Sequence, residues 1–424
     1  MHRTLNTFPI GTKLNKLTLS ILTTILTLAA LTAACDSGEP APDPAEPFRI
    51  GVMESVTGPG ETYGTVAVQA KQMAADEINA AGGIEGRNLE LVVEDSKCNA
   101  QDAITAYRKL TDVDSMKIIL GTSCSGAMLG VAPVAEEDGT ILFSGSASNS
   151  DIANAGDYIF RTQINDIEVG IGTGNVLWGD GIRALATITE ETDYAEGVRR
   201  NTVAQFEKNG GKLVAAERYG SDITDFRTQL TKLFAANPDA LHVSPQSEFA
   251  AGTIVKQARE LGYQGPIYGE TVSMGATSLE LAGDAATGMR AITAALDPDN
   301  QKAQEVLANF RERYNYIALP WFIGSHYDDI YIAAECLKKT GDDQDADGFR
   351  DCLYEITWSG ALGDNYNFDD KGEVVGLARS VVEVLPPAER TDDNYGYKVL
   401  GLTSDWAAAS PWLKCPILYN NLSQ

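Results

Sequence analysis

Histidine is almost absent. Three occur in 424 residues, His2, His242 and His326. His242 lies on an apolar, strand-like stretch and His326 follows a helix start. Neither falls in a metal-ligand spacing such as H-x-x-x-H. There is also no G-x-S-x-G nucleophile elbow and no G-x-x-x-x-G-K-[ST] phosphate loop. Gly170-Ile171-Gly172-Thr173-Gly174 is rich in glycine but lies inside a helical pattern with no strand before it, so it is not read as a nucleotide loop. These absences argue against an enzyme and against a cofactor.

Positive charge is scarce too. The chain has 33 Lys and Arg against 59 Asp and Glu, a net charge of −26. Such a surface repels nucleic acid and anionic lipid headgroups. It suits solubility and does not by itself make the ligand a cation.

One long apolar run is present, Leu17 to Leu31. Before it stand Arg3, Lys13 and Lys16 with no acidic residue, and after it Thr32-Ala33-Ala34-Cys35. A basic start, a short apolar core and small residues before a cut site make an export signal over 1–34. The run is short for a comfortable spanning helix. A Cys directly after the small residues is where a bacterial lipoprotein carries its lipid, so Cys35 is the expected lipidation site. Thr32 is an unusual residue three places before it, and ordinary cleavage beside an unmodified Cys is the alternative. Residues 35–47, with Pro and acidic side chains interleaved, read as a flexible tether. Removing the leader takes three basic residues and leaves 30 against 59 acidic ones. The place expected for the protein is outside the cytoplasm, at the periplasmic or cell-surface face of the membrane.

From residue 48 strands and helices alternate. Strands are expected at 49–53, 89–93, 117–120 and 140–143, with helices at 63–81, 100–110 and 127–135. A second series has strands at 182–188, 213–216, 240–243 and 266–268, with helices at 167–178, 196–208, 225–235 and 249–261. Helices follow at 301–316, 322–340 and 348–356, then strand-like pieces at 377–385 and 397–400. Alternation of this kind implies an α/β fold of parallel sheets covered on both faces. Two series imply two doubly wound lobes joined by a multi-strand hinge. The expected division is 48–165 plus 295–362 for lobe 1 and 166–294 plus 363–401 for lobe 2. The tail 402–424 is unassigned.

In open α/β sheets a ligand lies at the carboxyl ends of the strands. There the chain has Gly121-Thr122-Ser123-Cys124-Ser125-Gly126 and Ser144-Gly145-Ser146-Ala147-Ser148-Asn149. Free backbone N–H groups at a helix start, joined by serine hydroxyls, form a trap for a carboxylate. Helix capping explains serine at such positions equally well for either segment alone.

The chain resembles the type I periplasmic binding proteins of the leucine/isoleucine/valine-binding family, which serve ABC importers. The likeness spans roughly residues 48–390. It is carried by Ile50 to Pro59 with Tyr63-Gly64, by Asn79 to Gly86, by Glu94-Asp95 with Cys98, and by Gly121 to Ser125. Ile141 to Asn149, Phe160-Arg161-Thr162, Gln257 to Gly262 and Leu281 to Met289 complete it. The resemblance implies a small zwitterionic ligand, an amino acid or analogue, held between closing lobes and delivered to an ABC permease. It places the ligand's carboxylate on Ser125, Ser146 and Ser148, its ammonium on Glu270 and, less securely, Asp166, and aromatic contacts at Tyr63 and Tyr194. It also implies a disulfide Cys98–Cys124. Where leucine-binding members have an aromatic-rich loop, this chain has Ser244 to Phe249 (SPQSEF), so a polar amino acid, an amide or another small acid fits comparably. A sensor lipoprotein on the same fold, signalling to a membrane partner, is the other reading.

Two features lie apart from that site. Asp343, Asp345 and Asp347 have the spacing of a calcium loop, but its twelfth position is Tyr354, with Glu355 one place late. A solvated acidic turn with Asp347 capping the next helix is the competing reading. Cys336 and Cys352 flank this turn and could close it as a disulfide, which would leave Cys415 free.

Overall fold

The computed structural model describes residues 46–403 apart from Ala295, Pro298, Ala318, Ala378 and Asp392. The leader, Cys35, Cys415 and nearly all of the tail lie outside the described residues.

In strand β3 (Ile118–Gly121) every residue is buried, with Ile118 and Leu120 on one face and Ile119 on the other. A strand apolar on both faces needs a covered sheet. β3 pairs in parallel with β1 (Phe48–Glu54) and β4 (Ile141–Ser144). β2 (Leu89–Asp95) and β5 (Ile159–Arg161) complete a five-stranded sheet of order β2-β1-β3-β4-β5, parallel throughout. Helix α1 (Glu61–Ala80) covers one face, and α2 (Ala100–Arg108) and α3 (Ser125–Glu137) cover the other.

The second series builds a second sheet. β6 (Ala184–Glu190), β7 (Lys212–Tyr219), β8 (Ala240–Ser244), β9 (Ile267–Glu270) and β10 (Arg290–Thr293) are parallel. α4 (Asp166–Gly179) and α5 (Asp193–Lys208) pack on one face, and α6 (Arg227–Phe234), α7 (Glu248–Glu260) and α8 (Ala276–Ala282) on the other. Gly170 and Gly174 lie where a Cβ would strike Asn201 and Gln205 of α5, so the glycines of this segment bring two helices close together.

The chain then returns to the first sheet with α9 (Gln301–Tyr314), α10 (Pro320–Thr340) and α11 (Ala346–Glu355), which join the core on α1's side. A small sheet follows, of β11 (Thr357–Trp358), β12 (Tyr366–Phe368) and β13 (Val374–Val375). Phe368 packs edge-on against Phe143 and Phe160, so this stretch stays with the first half. The division expected at 363 is early for that reason; the last crossing is at 376–379. Strands β14 (Ser380–Val384) and β15 (Tyr397–Leu402) then add antiparallel edges to the second sheet. The chain thus crosses between the halves three times, at 162–165, 294–300 and 376–379, and all described residues belong to one compact unit. No described helix is long and apolar enough to cross a membrane.

Disulfides join Cys98 to Cys124 and Cys336 to Cys352. The three aspartates between the latter pair do not converge. Asp343 accepts the backbone N–H of Arg49, Asp345 accepts that of Gly348 and is the true cap of α11, and Asp347 faces Tyr158 and Arg350. Asp347 therefore is not the cap. Among the described residues no cluster of three or more acidic, histidine or cysteine side chains is arranged to hold a metal.

Candidate ligand-binding cleft

β3 ends on Gly121, whose φ of +145° and lack of a side chain let the strand pass the Met53 carbonyl; a Cβ there would lie 2.0 Å from that oxygen. The chain then enters α3 at Ser125, just after Cys124, which the disulfide ties to the loop before α2. Ser125 Oγ accepts the backbone N–H groups of Ser148 at 3.2 Å and Asn149 at 3.1 Å. With its lone pairs used from behind, its own proton is left to donate forward. In the neighbouring loop Ser144 Oγ accepts from Ser146 and Ala147 and donates to the Thr122 carbonyl at 2.7 Å. Ser146 Oγ is buried and has no partner.

The loop is held from below by Arg161. Its Nη1 donates to the carbonyls of Asn149 at 2.8 Å and Ala147 at 3.2 Å, and its Nε and Nη2 grip Glu373 at 2.6 Å each. Both side chains are buried, and a bidentate pair of this kind fixes direction as well as distance.

These serines face a narrow cleft of about 30 Å³ between the two sheets, whose walls include Tyr63, Ser125, Ser146, Ser148, Asp166 and Tyr194. Six of the seven ligand residues expected from the sequence thus share one cavity. Asp166 opens α4 and is 1% exposed, and its Oδ2 has no hydrogen-bond partner. Burial raises its pKa to about 6, against the pull of Ser148, Arg379 and Arg161. The Tyr194 hydroxyl is pushed well above its ordinary range by burial and by the nearby Glu270 and Asp166.

Glu270 is the seventh, and it does not line the cavity; its successors Thr271 and Val272 do. It is fully buried behind that wall, with Oε1 3.5 Å from His242 Nε2 and no hydrogen-bond partner on either oxygen. Burial drives its pKa well up and that of His242 down to about 3, so burial favours the neutral form of both. Asp166, not Glu270, is the acid on the cavity surface.

Sequence reasoning missed several wall residues. Gln163 follows the F-R-T segment and Gln246 lies in the Ser244–Phe249 loop, both within stretches already singled out. Phe322, in the first turn of α10, stacks obliquely on Tyr63 with ring centres 5.7 Å apart. Arg379 stands in the last crossing, where no motif marks it, and it lines the cleft.

The two halves touch across the cleft. Tyr63 OH donates to the Gln246 carbonyl at 2.8 Å, and Asn149 Nδ2 to the Asp193 carbonyl at 2.6 Å. Arg200 reaches Ser150 at 2.9 Å and Asp151 at 3.1 Å.

Comparison with known proteins assigns the family of this two-sheet fold. Residues 47–382 match the family model described as periplasmic binding protein. The chain belongs to the periplasmic binding protein family. Members of this family bind solutes and are not enzymes. A relative from Pseudomonas aeruginosa named leucine-, isoleucine-, valine-, threonine-, and alanine-binding protein is 25% identical over 352 residues, covering 82% of this chain and 92% of its own. Among solved structures, LivJ from Streptococcus pneumoniae in complex with isoleucine gives a TM-score of 0.73 at 26% identity, covering 84% of this chain and 98% of the other. A solute-binding protein from R. palustris in complex with benzoate gives 0.75 at 18% identity, with coverage of 84% and 96%. At that identity it speaks for the fold alone. As a periplasmic binding protein, the chain has its cleft where the fold leaves the strand ends of both sheets.

Proposed function

We propose that this protein is an extracytoplasmic receptor that captures a small amino acid between its lobes and hands it to an ABC permease. One observation carries the reading: three buried serines and the buried carboxyl of Asp166, whose Oδ2 has no partner, share a single cleft. Hydroxyl donors and an acid on the wall of one cleft match the adjacent carboxylate and ammonium of an α-amino acid, and Asp166 adjoins Ser148, its backbone N–H donating to the Ser148 carbonyl at 2.9 Å. The amino-acid names of the relatives support the same class. Room for a few water molecules only means that the lobes part to admit the ligand. A ligand held from both sides then favours the closed form, because only that form offers it all its contacts.

The lipid anchor belongs to the same proposal. It rests on the leader, the apolar run and Ala33-Ala34-Cys35. Cys35→Ser is expected to release the protein from the membrane fraction and abolish labelling by a palmitate analogue; retention and labelling of the variant would rule the anchor out.

Titration calorimetry on the purified full chain with a panel of α-amino acids, their amides and benzoate tests the ligand class. Binding of at least one α-amino acid, lost when its amine is removed, is the expected result. Binding of the carboxylates alone would sink the zwitterion reading.

A further inference from the structure

Arg379 is the unexplained charge of the cleft. It lies in the last crossing, just before β14, is 4% exposed, and shares the cavity wall with the serines and Asp166. A guanidinium has five N–H donors. Here Nη2 donates to the Ile164 carbonyl, while Nε is buried without a partner. No described carboxylate comes within ion-pair distance, although Asp166 and Glu168 lie near enough to be felt. Arg161, the other fully buried arginine near the site, has Glu373 in both forks.

A buried cation without a counter-ion is costly, and cavities that keep one are built to receive an anion. Arginine in particular matches the planar, two-oxygen geometry of a carboxylate. The serines already provide for one carboxylate and Asp166 for one ammonium. The rest of the wall mixes apolar groups, Val169, Val272 and Phe322, with the amides of Gln163 and Gln246. The amides offer a polar side chain hydrogen-bond partners that a branched aliphatic one would leave unused.

We propose that Arg379 determines specificity, its guanidinium receiving the side-chain carboxylate of an acidic α-amino acid whose α-carboxylate lies on Ser125, Ser146 and Ser148 and whose ammonium lies on Asp166. The assignment rests on the amino-acid reading above and adds the side-chain class to it.

The test compares L-glutamate, L-aspartate and L-leucine by titration calorimetry on the full chain, in wild type, Arg379→Met and Arg379→Lys. An acidic ligand is expected to bind wild type most tightly. Arg379→Met should weaken it by about 10- to 100-fold, the worth of a charge-assisted hydrogen bond, and leave leucine unchanged or better bound. Arg379→Lys keeps the buried charge and removes the fork; it should fold as wild type does and recover only part of the acidic affinity. Leucine binding with no acidic amino acid bound would overturn this inference and leave the amino-acid reading standing. So would an equal loss for all ligands in Arg379→Met that Arg379→Lys restores in full, which marks a counter-charge for Asp166 and Glu168. If wild type binds no α-amino acid, the reading itself falls and the inference with it.

Discussion

In the proposed reading, Asp166 serves binding at the expense of stability. Its carboxyl is raised from 3.8 to about 6 in the folded protein. A folded state that holds its proton more tightly than the unfolded chain is favoured below the unfolded pKa, and the benefit is lost as pH rises through about 6. At about 1.4 kcal/mol per pKa unit, the empty protein loses on the order of 3 kcal/mol across that window. Asp166→Asn is therefore expected to melt higher than wild type near pH 8 and equally near pH 4, by calorimetry without ligand. Affinity for an amine-bearing ligand should fall about tenfold or more, as expected for a lost charge-assisted bond. Glu270→Gln, outside the cavity wall, should change affinity much less. Glu270 mattering more than Asp166 would reverse the assignment made from the cavity. The serines were legible because hydroxyls at two adjacent strand ends form a pattern along the chain. Glu270 does not line the cavity in this structure, because adjacency to a strand end fixes a backbone position, not whether that side chain or the next one faces the cavity. Arg379 was illegible because only the third crossing brings it to the site.

At the scale of elements, the alternation of strands and helices could be read because buried strands and amphipathic helices have different periods. Helix starts were placed late where polar caps begin them. Thr192 Oγ1 accepts the Ala195 N–H, so α5 opens at Asp193 and brings Tyr194 into its first turn, ahead of the start expected at Glu196. The pieces not read were short: β11 and β13 have two residues each, and β5 has three. β5 nevertheless carries Arg161, the support of the serine loop. Its loss would leave Glu373 buried without a counter-charge, held only by Asn165 Nδ2 at 2.8 Å, and breaking such a pair costs about 3–5 kcal/mol. Arg161→Met should show that loss in denaturant unfolding, together with weaker binding, because the carbonyls of Ala147 and Asn149 lose their donor. Arg161→Met combined with Glu373→Met removes both charges and should regain stability but not affinity, since the loop stays unsupported. Recovery of both would mean that the pair only balances charge.

At the scale of the molecule, two sheets joined by three crossings can hinge, and the contacts that bridge them without ligand set the starting point of that motion. A receptor pays for ligand-driven closure only to the extent that its empty form is open. The bond from Tyr63 OH to the Gln246 carbonyl is buried and links α1 of one half to the loop after β8 of the other. Tyr63→Phe keeps the ring against Phe322 and removes that bond alone, worth about 0.5–1.5 kcal/mol. If the bond favours closure, the empty variant is more open. Small-angle scattering should then give a larger radius of gyration for it than for empty wild type, and ligand should bring the two together. Its affinity should be lower by about 2- to 12-fold, the same free energy expressed as a binding constant. Equal radii and equal affinities would mean that the latch carries no weight and that the cleft is held shut by Asn149 and Arg200, on the far side of the serine loop from Tyr63 in sequence but tied to the same helix α5.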